Sequence, residues 1–227
     1  FTGQNYEGSN ISSLIDIIAY SYHVLIFYLN QTSTESLFSE SELYENMNRI
    51  VKVLDYKPTG IQTSNVGFNA KATPFLSRGT YTIPRYTFFD IGNVLYSFPK
   101  DVTFSKTTNI EEPLKQFSET YLLYQGKFNE YPLTTANGDE FEIFSLIPGD
   151  DIIIDHFTID VYIRDSNTGK WEQWERTSSL FLEKSTTRSY EVRFNENKRY
   201  ELKFGDGRTG RKLNSGDTVA IYYLKSA

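Results

Sequence analysis

The stretch Tyr200-Glu-Leu-Lys-Phe-Gly-Asp-Gly-Arg-Thr-Gly210 is the most informative part of this 227-residue sequence. Its first five residues alternate between apolar and polar, which predicts a β-strand with one buried face. Residues 205–210 then match the G-x-G-x-x-G pattern of dinucleotide-binding loops, but such a loop requires a helix directly after it. Residues 211–217 have no helical apolar stripe and contain a second turn. The pattern therefore predicts a structural turn in which glycine supplies backbone freedom, formed by Gly205, Asp206, Gly207 and Gly210.

The alternation between apolar and polar residues continues through most of the chain after Gly60. It is clear in residues 80–83, 157–163 and 218–224, and Asn-Gly and Asn-x-Gly turns separate such runs. This punctuation is typical of antiparallel hairpins. A polar break around Pro113 predicts two β units, residues 59–112 and residues 113–227, with the second truncated at its C-terminal end.

The first 58 residues show helical periodicity instead. Apolar residues recur at steps of three and four from Ile11 onwards, and Asn10 is a suitable N-cap. A capping-box pattern, Ser39-Glu-Ser-Glu42, predicts the start of a second helix, which ends near Pro58. The predicted fold class is therefore α+β, with an N-terminal antiparallel helical hairpin followed by mainly antiparallel β domains.

The first predicted helix is apolar on two faces, so it is expected to be buried on two sides. One face can pack on the second helix, while the other needs the β part or another chain. We therefore predict that residues 1–58 are a bundle or interface region. The predicted interface residues are Ile11, Leu14, Ile15, Ile17, Ile18, Tyr22, Val24, Leu25, Phe27, Tyr28, Leu43, Met47, Ile50 and Leu54.

Composition and charge argue against several classes of protein. The chain has no cysteine, so a disulfide framework or a thiolate metal site is excluded. The net charge of −6 argues against nucleic-acid binding. Polar residues interrupt residues 11–29, which predicts that this segment is too short and too polar to cross a bilayer.

No catalytic, cofactor-binding or metal-binding residues are predicted, and the chain is not expected to be an enzyme. Its two histidines are His23 and His156, and Asp155 and His156 point to opposite faces of a strand. The acidic groups Asp150-Asp151 with Asp155, and Asp139-Glu140 with Glu142, lack the spacing of a calcium loop. An alternative hypothesis is a carbohydrate-binding or cell-wall-hydrolysing β module. It depends on Trp171, Trp174 and these acidic turns.

Three segments, in this order, resemble the baseplate wedge proteins of contractile-tailed bacteriophages, within the baseplate J-like family. The first is Tyr6-Glu-Gly-Ser followed by the helix up to Tyr20. The second is Ile83-Pro-Arg-Tyr-Thr-Phe88, in which Tyr86 replaces the family's usual glycine. The third, and the most specific, runs from Tyr200 through the glycine turn to Asp217. Because family members are longer, both ends of this chain are expected to be cut.

The resemblance implies a structural subunit of a tail baseplate wedge that links neighbouring wedge subunits into the baseplate ring. It implies two kinds of partner: a second copy of the chain, and other wedge subunits bound through the helical region. Nucleic acid, membrane, cofactor and small-molecule substrate are not expected. The implied location is the tail baseplate of the virion, within the contractile tail, after assembly in the host cytoplasm.

Overall fold

The computed structural model describes residues 10–37, 40–53, 56–68, 71–110, 112–113, 115–116, 122–147, 149, 152–195 and 199–226. The chain divides into two compact units, Phe1–Pro58 and Thr59–Ala227. The predicted boundary between residues 112 and 113 stays a prediction, as does the truncation of the C-terminal end.

The N-terminal unit contains helix α1, Asn10–Glu35, and helix α2, Tyr44–Val53. The Glu35 carboxylate joins the end of α1 to the start of α2. It accepts hydrogen bonds from the hydroxyl of Ser41 (3.1 Å), the backbone N–H of Leu43 (3.3 Å) and Nδ2 of Asn46 (3.0 Å). The hydrogen bond from Asn46, helped by those from the backbone and Ser41, lowers the pKa of Glu35. Glu35 thus satisfies donors at the start of α2.

The predicted fold class, with an antiparallel helical hairpin in front of the β part, is wrong. The chain is mostly β, with one long helix near its N-terminus. The 26 residues of α1 span about 39 Å and the 10 residues of α2 only about 15 Å. Within the described residues the two helices do not pack along each other. The second helix also begins four residues later than a Ser39 cap predicts, and Ser39 lies outside the described residues.

The first part of the second unit consists of short strands in small antiparallel sheets. Strands β1, β9, β5 and β4 form one sheet in that order, β3, β6 and β8 form a second, and β2 pairs with β7. Phe98, Val102 and Leu123 form the buried core of this region. The strands are β1 Asn65–Gly67, β2 Lys71–Ala72, β3 Gly79–Ile83, β4 Phe88–Ile91, β5 Val94–Ser97, β6 Val102–Lys106, β7 Glu112–Pro113, β8 Lys115–Gln116 and β9 Leu122–Gln125.

The second part is a seven-stranded sheet. Its strands are β10 Lys127–Thr135, β11 Ile143–Leu146, β12 Ile154–Arg164, β13 Trp171–Thr177, β14 Ser189–Phe194, β15 Tyr200–Phe204 and β16 Thr218–Lys225. Their order is β10-β16-β12-β13-β14-β15-β11. Neighbouring strands are antiparallel except β13 and β14, which are parallel and are connected through a 3-10 turn, Leu180–Leu182.

The seven-stranded sheet curls into a nearly closed, barrel-like shape. The Tyr131 hydroxyl on edge strand β10 reaches the other edge, where it donates to the carbonyl of Ser145 (3.5 Å) and accepts from the N–H of Ile147 (3.4 Å). Inside the curl, alternate residues such as Val161 and Val219 have no exposed surface. The residues between them point to the opposite face, which is where the side-chain clusters described below lie.

Candidate functional site

Helix α1 exposes large apolar side chains around most of its circumference, and the exception is a polar strip that contains Asp16, His23 and Asn30. Ile17 is 67% exposed and Tyr22 62%, although they lie on different faces of the helix. Of the predicted interface residues, the exposed ones are Ile11, Leu14, Ile15, Ile17, Ile18, Tyr22, Leu25, Phe27, Tyr28, Leu43 and Met47. Val24 and Ile50 are half-buried, and Leu54 lies outside the described residues.

The list of predicted interface residues leaves out Tyr20, Ile26 and Leu29 in α1, which are as exposed as their neighbours, although Leu29 belongs to the apolar periodicity of the first predicted helix. Helical spacing places Leu29 on the same face as Ile11, Tyr20 on the face of Phe27, and Ile26 at the edge of the first face. An apolar surface of this length is rare in monomeric soluble proteins and marks an interaction site. By length and composition, Ile11–Glu35 also meets the criteria for a helix that could cross a membrane. The prediction that this region is too short for that purpose is not supported, because α1 extends beyond residue 29.

The glycine-rich segment after β15 is a loop stabilised by Asp206. The Asp206 carboxylate accepts the N–H of Arg208 (2.8 Å) and both the N–H (2.7 Å) and the hydroxyl (3.0 Å) of Thr209. The hydrogen bond from the Thr209 N–H, followed by that from Arg208, lowers the pKa of Asp206. Gly207 and Gly210 adopt φ values of +88° and +76°, a region that favours glycine.

No helix follows this loop. Residues 211–217 continue as a turn that leads into β16, so the helix N-terminus required to hold a pyrophosphate is missing there. The loop also packs tightly, since a Cβ atom on Gly205 would lie 2.4 Å from the backbone of Gly210. Asp217 closes the segment by accepting the N–H groups of Ser166 and Asn214. These glycines therefore shape the backbone.

Two of the acidic residues in the candidate metal or catalytic groups, Asp155 and Glu142, bind backbone donors instead. Buried Asp155 accepts the N–H groups of Phe157 (2.8 Å) and Thr158 (2.9 Å) and also that of Thr63. Glu142 accepts the N–H groups of Asn137 (2.8 Å) and Gly138 (3.1 Å). Asp150 and Asp151 lie outside the described residues. In the described part of the chain, no group of three or more His, Asp or Glu side chains could hold a metal ion.

His156 is buried and pairs with an arginine. Arg176 donates through Nη1 to the backbone oxygen of His156 (2.5 Å), and its Nη2 lies 2.7 Å from His156 Nε2. Burial, and then the positive charge of Arg176, lower the pKa of His156 to about 4. The imidazole is therefore neutral near pH 7, with Nε2 accepting and the proton on Nδ1. That proton has no hydrogen-bond partner among the described atoms.

A cluster of charged and aromatic side chains connects the loop after β3 to the seven-stranded sheet. Arg85 forms an ion pair with Asp160 (2.6 Å) and donates to the Tyr162 hydroxyl (2.6 Å). The Tyr86 hydroxyl donates to the same Asp160 oxygen (2.9 Å). The Tyr86 ring packs against Phe128 at a centroid distance of 4.6 Å. Burial is the main cause that raises the pKa of Tyr86, so this hydroxyl stays protonated.

Tyr86 is also the residue that replaces a glycine in the family resemblance. Its φ of +68° lies in the left-handed region, which a tyrosine adopts at a cost of about 1–2 kcal/mol. The hydrogen bond and ring contacts of Tyr86 offset that cost. In the sequence, the cluster was marked only by a tyrosine at a position where the family usually has glycine. That feature did not show that Arg85 and Tyr86 bind residues on β12.

The two tryptophans occupy different environments. Trp174 is 3% exposed and packs in the core against Phe204, whereas Trp171 is 47% exposed. Their spacing of three along β13 explains the difference, because residues an odd number apart point to opposite faces. The carbohydrate-binding alternative stays a prediction.

Comparison with curated proteins relates the chain to the structural proteins of phage tail baseplates. The relative is the baseplate wedge protein gp6 of Enterobacteria phage T4, and the two are 24% identical over 235 aligned residues. The alignment covers 98% of this chain and 32% of that protein, so the chain spans about a third of the relative's length. No protein-family model matches the chain. This distant similarity points to a baseplate role.

Proposed function

We propose that this chain is part of a structural subunit of a phage tail baseplate wedge, and that it acts by protein–protein contact without catalysis. The distant similarity to a baseplate wedge protein supports the class of protein. The observation that carries the proposal is α1, a 26-residue helix with large apolar side chains exposed around most of its circumference. Burying one such side chain stabilises a complex by about 1.5–3 kcal/mol.

In this proposal α1 joins a helical bundle with other wedge subunits and the Thr59–Ala227 unit contacts a second copy of the chain. These contacts link neighbouring wedges into the baseplate ring of a contractile tail. The subunit is assembled in the host cytoplasm and remains in the virion. Two apolar faces fit this role because a helix inside a bundle is covered by more than one neighbour.

Charged substitutions on α1 test the proposal. The double variant Ile17→Asp, Val24→Asp places two carboxylates where the bundle contact is expected, and burying an unpaired charge is strongly unfavourable. We expect that the full-length protein with these changes fails to join wedge complexes during phage assembly. Native electrophoresis and electron microscopy of infected-cell lysates measure this loss. Tryptophan fluorescence should remain native, because both tryptophans lie in the Thr59–Ala227 unit.

The matched control is His23→Asp with Asn30→Asp, which adds the same charge to α1 at exposed polar positions roughly 100° around the helix from Ile17 and Val24. This control is expected to assemble normally if the apolar surface is the contact. Normal assembly of the Ile17 and Val24 variant would contradict the proposal. Partition of the wild-type protein into neutral phosphatidylcholine vesicles would indicate that a membrane, and not a protein, covers α1.

A further inference from the structure

A cleft of about 320 Å³ opens on the face of the seven-stranded sheet that points away from its core. The strand registers bring its residues together: Glu130 lies opposite Tyr222, and Tyr162 lies opposite Ala220. Trp171 lies on the next strand, opposite the residue two positions after Tyr162. Alternate residues share a face, so all of these side chains project to the same side. Ala220 has a small side chain among large ones and thereby leaves the space.

The walls of the cleft are electron-rich. Tyr162, Tyr222 and Trp171 present aromatic rings, whose faces attract cations. Glu130 adds a carboxylate opposite Tyr222, and burial together with this negative charge raises the pKa of the Tyr222 hydroxyl. Among the described residues, no lysine or arginine lines the cleft, and none forms an ion pair with Glu130. As far as the described residues line it, the cleft therefore has one carboxylate and no cation.

The same aromatic cluster already holds one guanidinium beside the cleft. The Arg85 Cζ atom lies 4.6 Å from the ring centre of Tyr86 and 5.8 Å from that of Tyr162. Asp160 neutralises this arginine. The Tyr86 ring in turn stacks on Tyr222 at 5.1 Å with an interplanar angle of 14°. Arg85 therefore shows that these aromatic rings, together with a carboxylate, can bind a guanidinium. On the other side of the cluster, Glu130 supplies the carboxylate for a second one.

We propose that the cleft binds the guanidinium of an arginine side chain from a partner protein. In this arrangement Glu130 pairs with the guanidinium, and the rings of Tyr222 and Trp171 stack on its plane. Arginine suits the site better than lysine, because a planar guanidinium both stacks on rings and presents paired donors to a carboxylate. The volume is at the lower end for ligand pockets and suits one side chain.

Nuclear magnetic resonance of the two tryptophan indole N–H groups tests the proposal on the whole chain. The probe is the peptide acetyl-Gly-Arg-Gly-amide, and the Trp171→Phe variant assigns the signals. We expect a saturable shift of the Trp171 signal with a Kd on the order of 1 mM, while the Trp174 signal stays in place. The same peptide with citrulline, which keeps the shape but lacks the charge, is expected to bind about tenfold more weakly.

Variants of the cleft complete the test. Glu130→Gln is expected to weaken binding of the arginine peptide about tenfold, and Ala220→Leu to abolish it by filling the space. Glu140→Gln removes an exposed carboxylate outside the cleft and should leave the affinity unchanged. The proposal is overturned if the peptide gives no saturable shift, if citrulline binds equally, or if Glu130→Gln has no effect. A shift with chito-oligosaccharides alone would instead assign the cleft to sugar. None of these results depends on the α1 contact.

Discussion

Acid is expected to destabilise the Thr59–Ala227 unit through His156. The imidazole has a pKa of about 4 in the folded protein, against an ordinary value of 6.5. Below 6.5 the unfolded chain therefore binds a proton that the folded protein does not. The stabilisation is fully present above this value and is lost as the pH falls towards about 4. The main structural cause is burial of the imidazole, and the second is that a protonated Nε2 would point its N–H at the guanidinium of Arg176, 2.7 Å away.

The magnitude follows from the difference between the two pKa values. One unit corresponds to 1.36 kcal/mol, so the full effect is about 3 kcal/mol once the pH has fallen through both values. About 2 kcal/mol of this is lost between about pH 7.5 and about pH 5. His156 is 2% exposed, so solvent screens this interaction little.

Urea unfolding at a series of pH values, followed by tryptophan fluorescence, measures this loss. The His156→Gln variant removes the titration and keeps an oxygen that can accept from Arg176, so its free energy of unfolding should fall about 2 kcal/mol less over the same interval. His23→Gln is the matched control, since His23 is exposed on α1 and is the other of the two histidines in the chain. If the free energy of unfolding depends on pH in the same way for wild type and His156→Gln, then His156 is not a neutral histidine whose protonation destabilises the fold.

Two further predictions concern stability and use the same urea assay. Gly210→Ala forces an alanine to φ +76° and places its Cβ 3.0 Å from a leucine side chain, so we expect a loss of about 2–3 kcal/mol. Gly92→Ala, at φ +62° in open space, should cost only about 1 kcal/mol, and equal losses would contradict the close packing of the loop. Asp160→Asn leaves the half-buried Arg85 charge unpaired and is expected to cost about 2 kcal/mol. Glu172→Gln breaks an exposed ion pair and should cost less than about 1 kcal/mol; similar values for both would refute a central role for Asp160.

Strands and turns were the predictable part of the fold, because their signals are local. The predicted strand at residues 200–204 coincides with β15, and residues 157–163 lie within β12. The loop at Gly205–Gly210 was also predictable from the sequence. Its glycines favour positive φ, and the residues after it lack the apolar pattern of a helix. Alternation likewise separated buried Trp174 from Trp171.

The helical hairpin was predicted wrongly for a physical reason. Periodicity shows which residues share a face of a helix, but it does not show what that face packs against. The apolar faces of α1 looked like the inside of a hairpin, whereas α2 is too short to cover them and does not lie along them. For the same reason most of the exposed apolar residues in α1 were predictable, while the extent of their exposure was not.

Local patterns in the amino-acid sequence therefore determine the strand positions, the glycine turn and the apolar nature of the first helix. Tertiary structure alone decided three things: the pairing of Arg85 with Asp160, the burial of His156 against Arg176, and the cleft above Ala220. The first two join residues 75 and 20 positions apart in the chain, and the third depends on strand order in the curled sheet. Period-two patterns carry no information about which strands become neighbours, and that choice creates the sites.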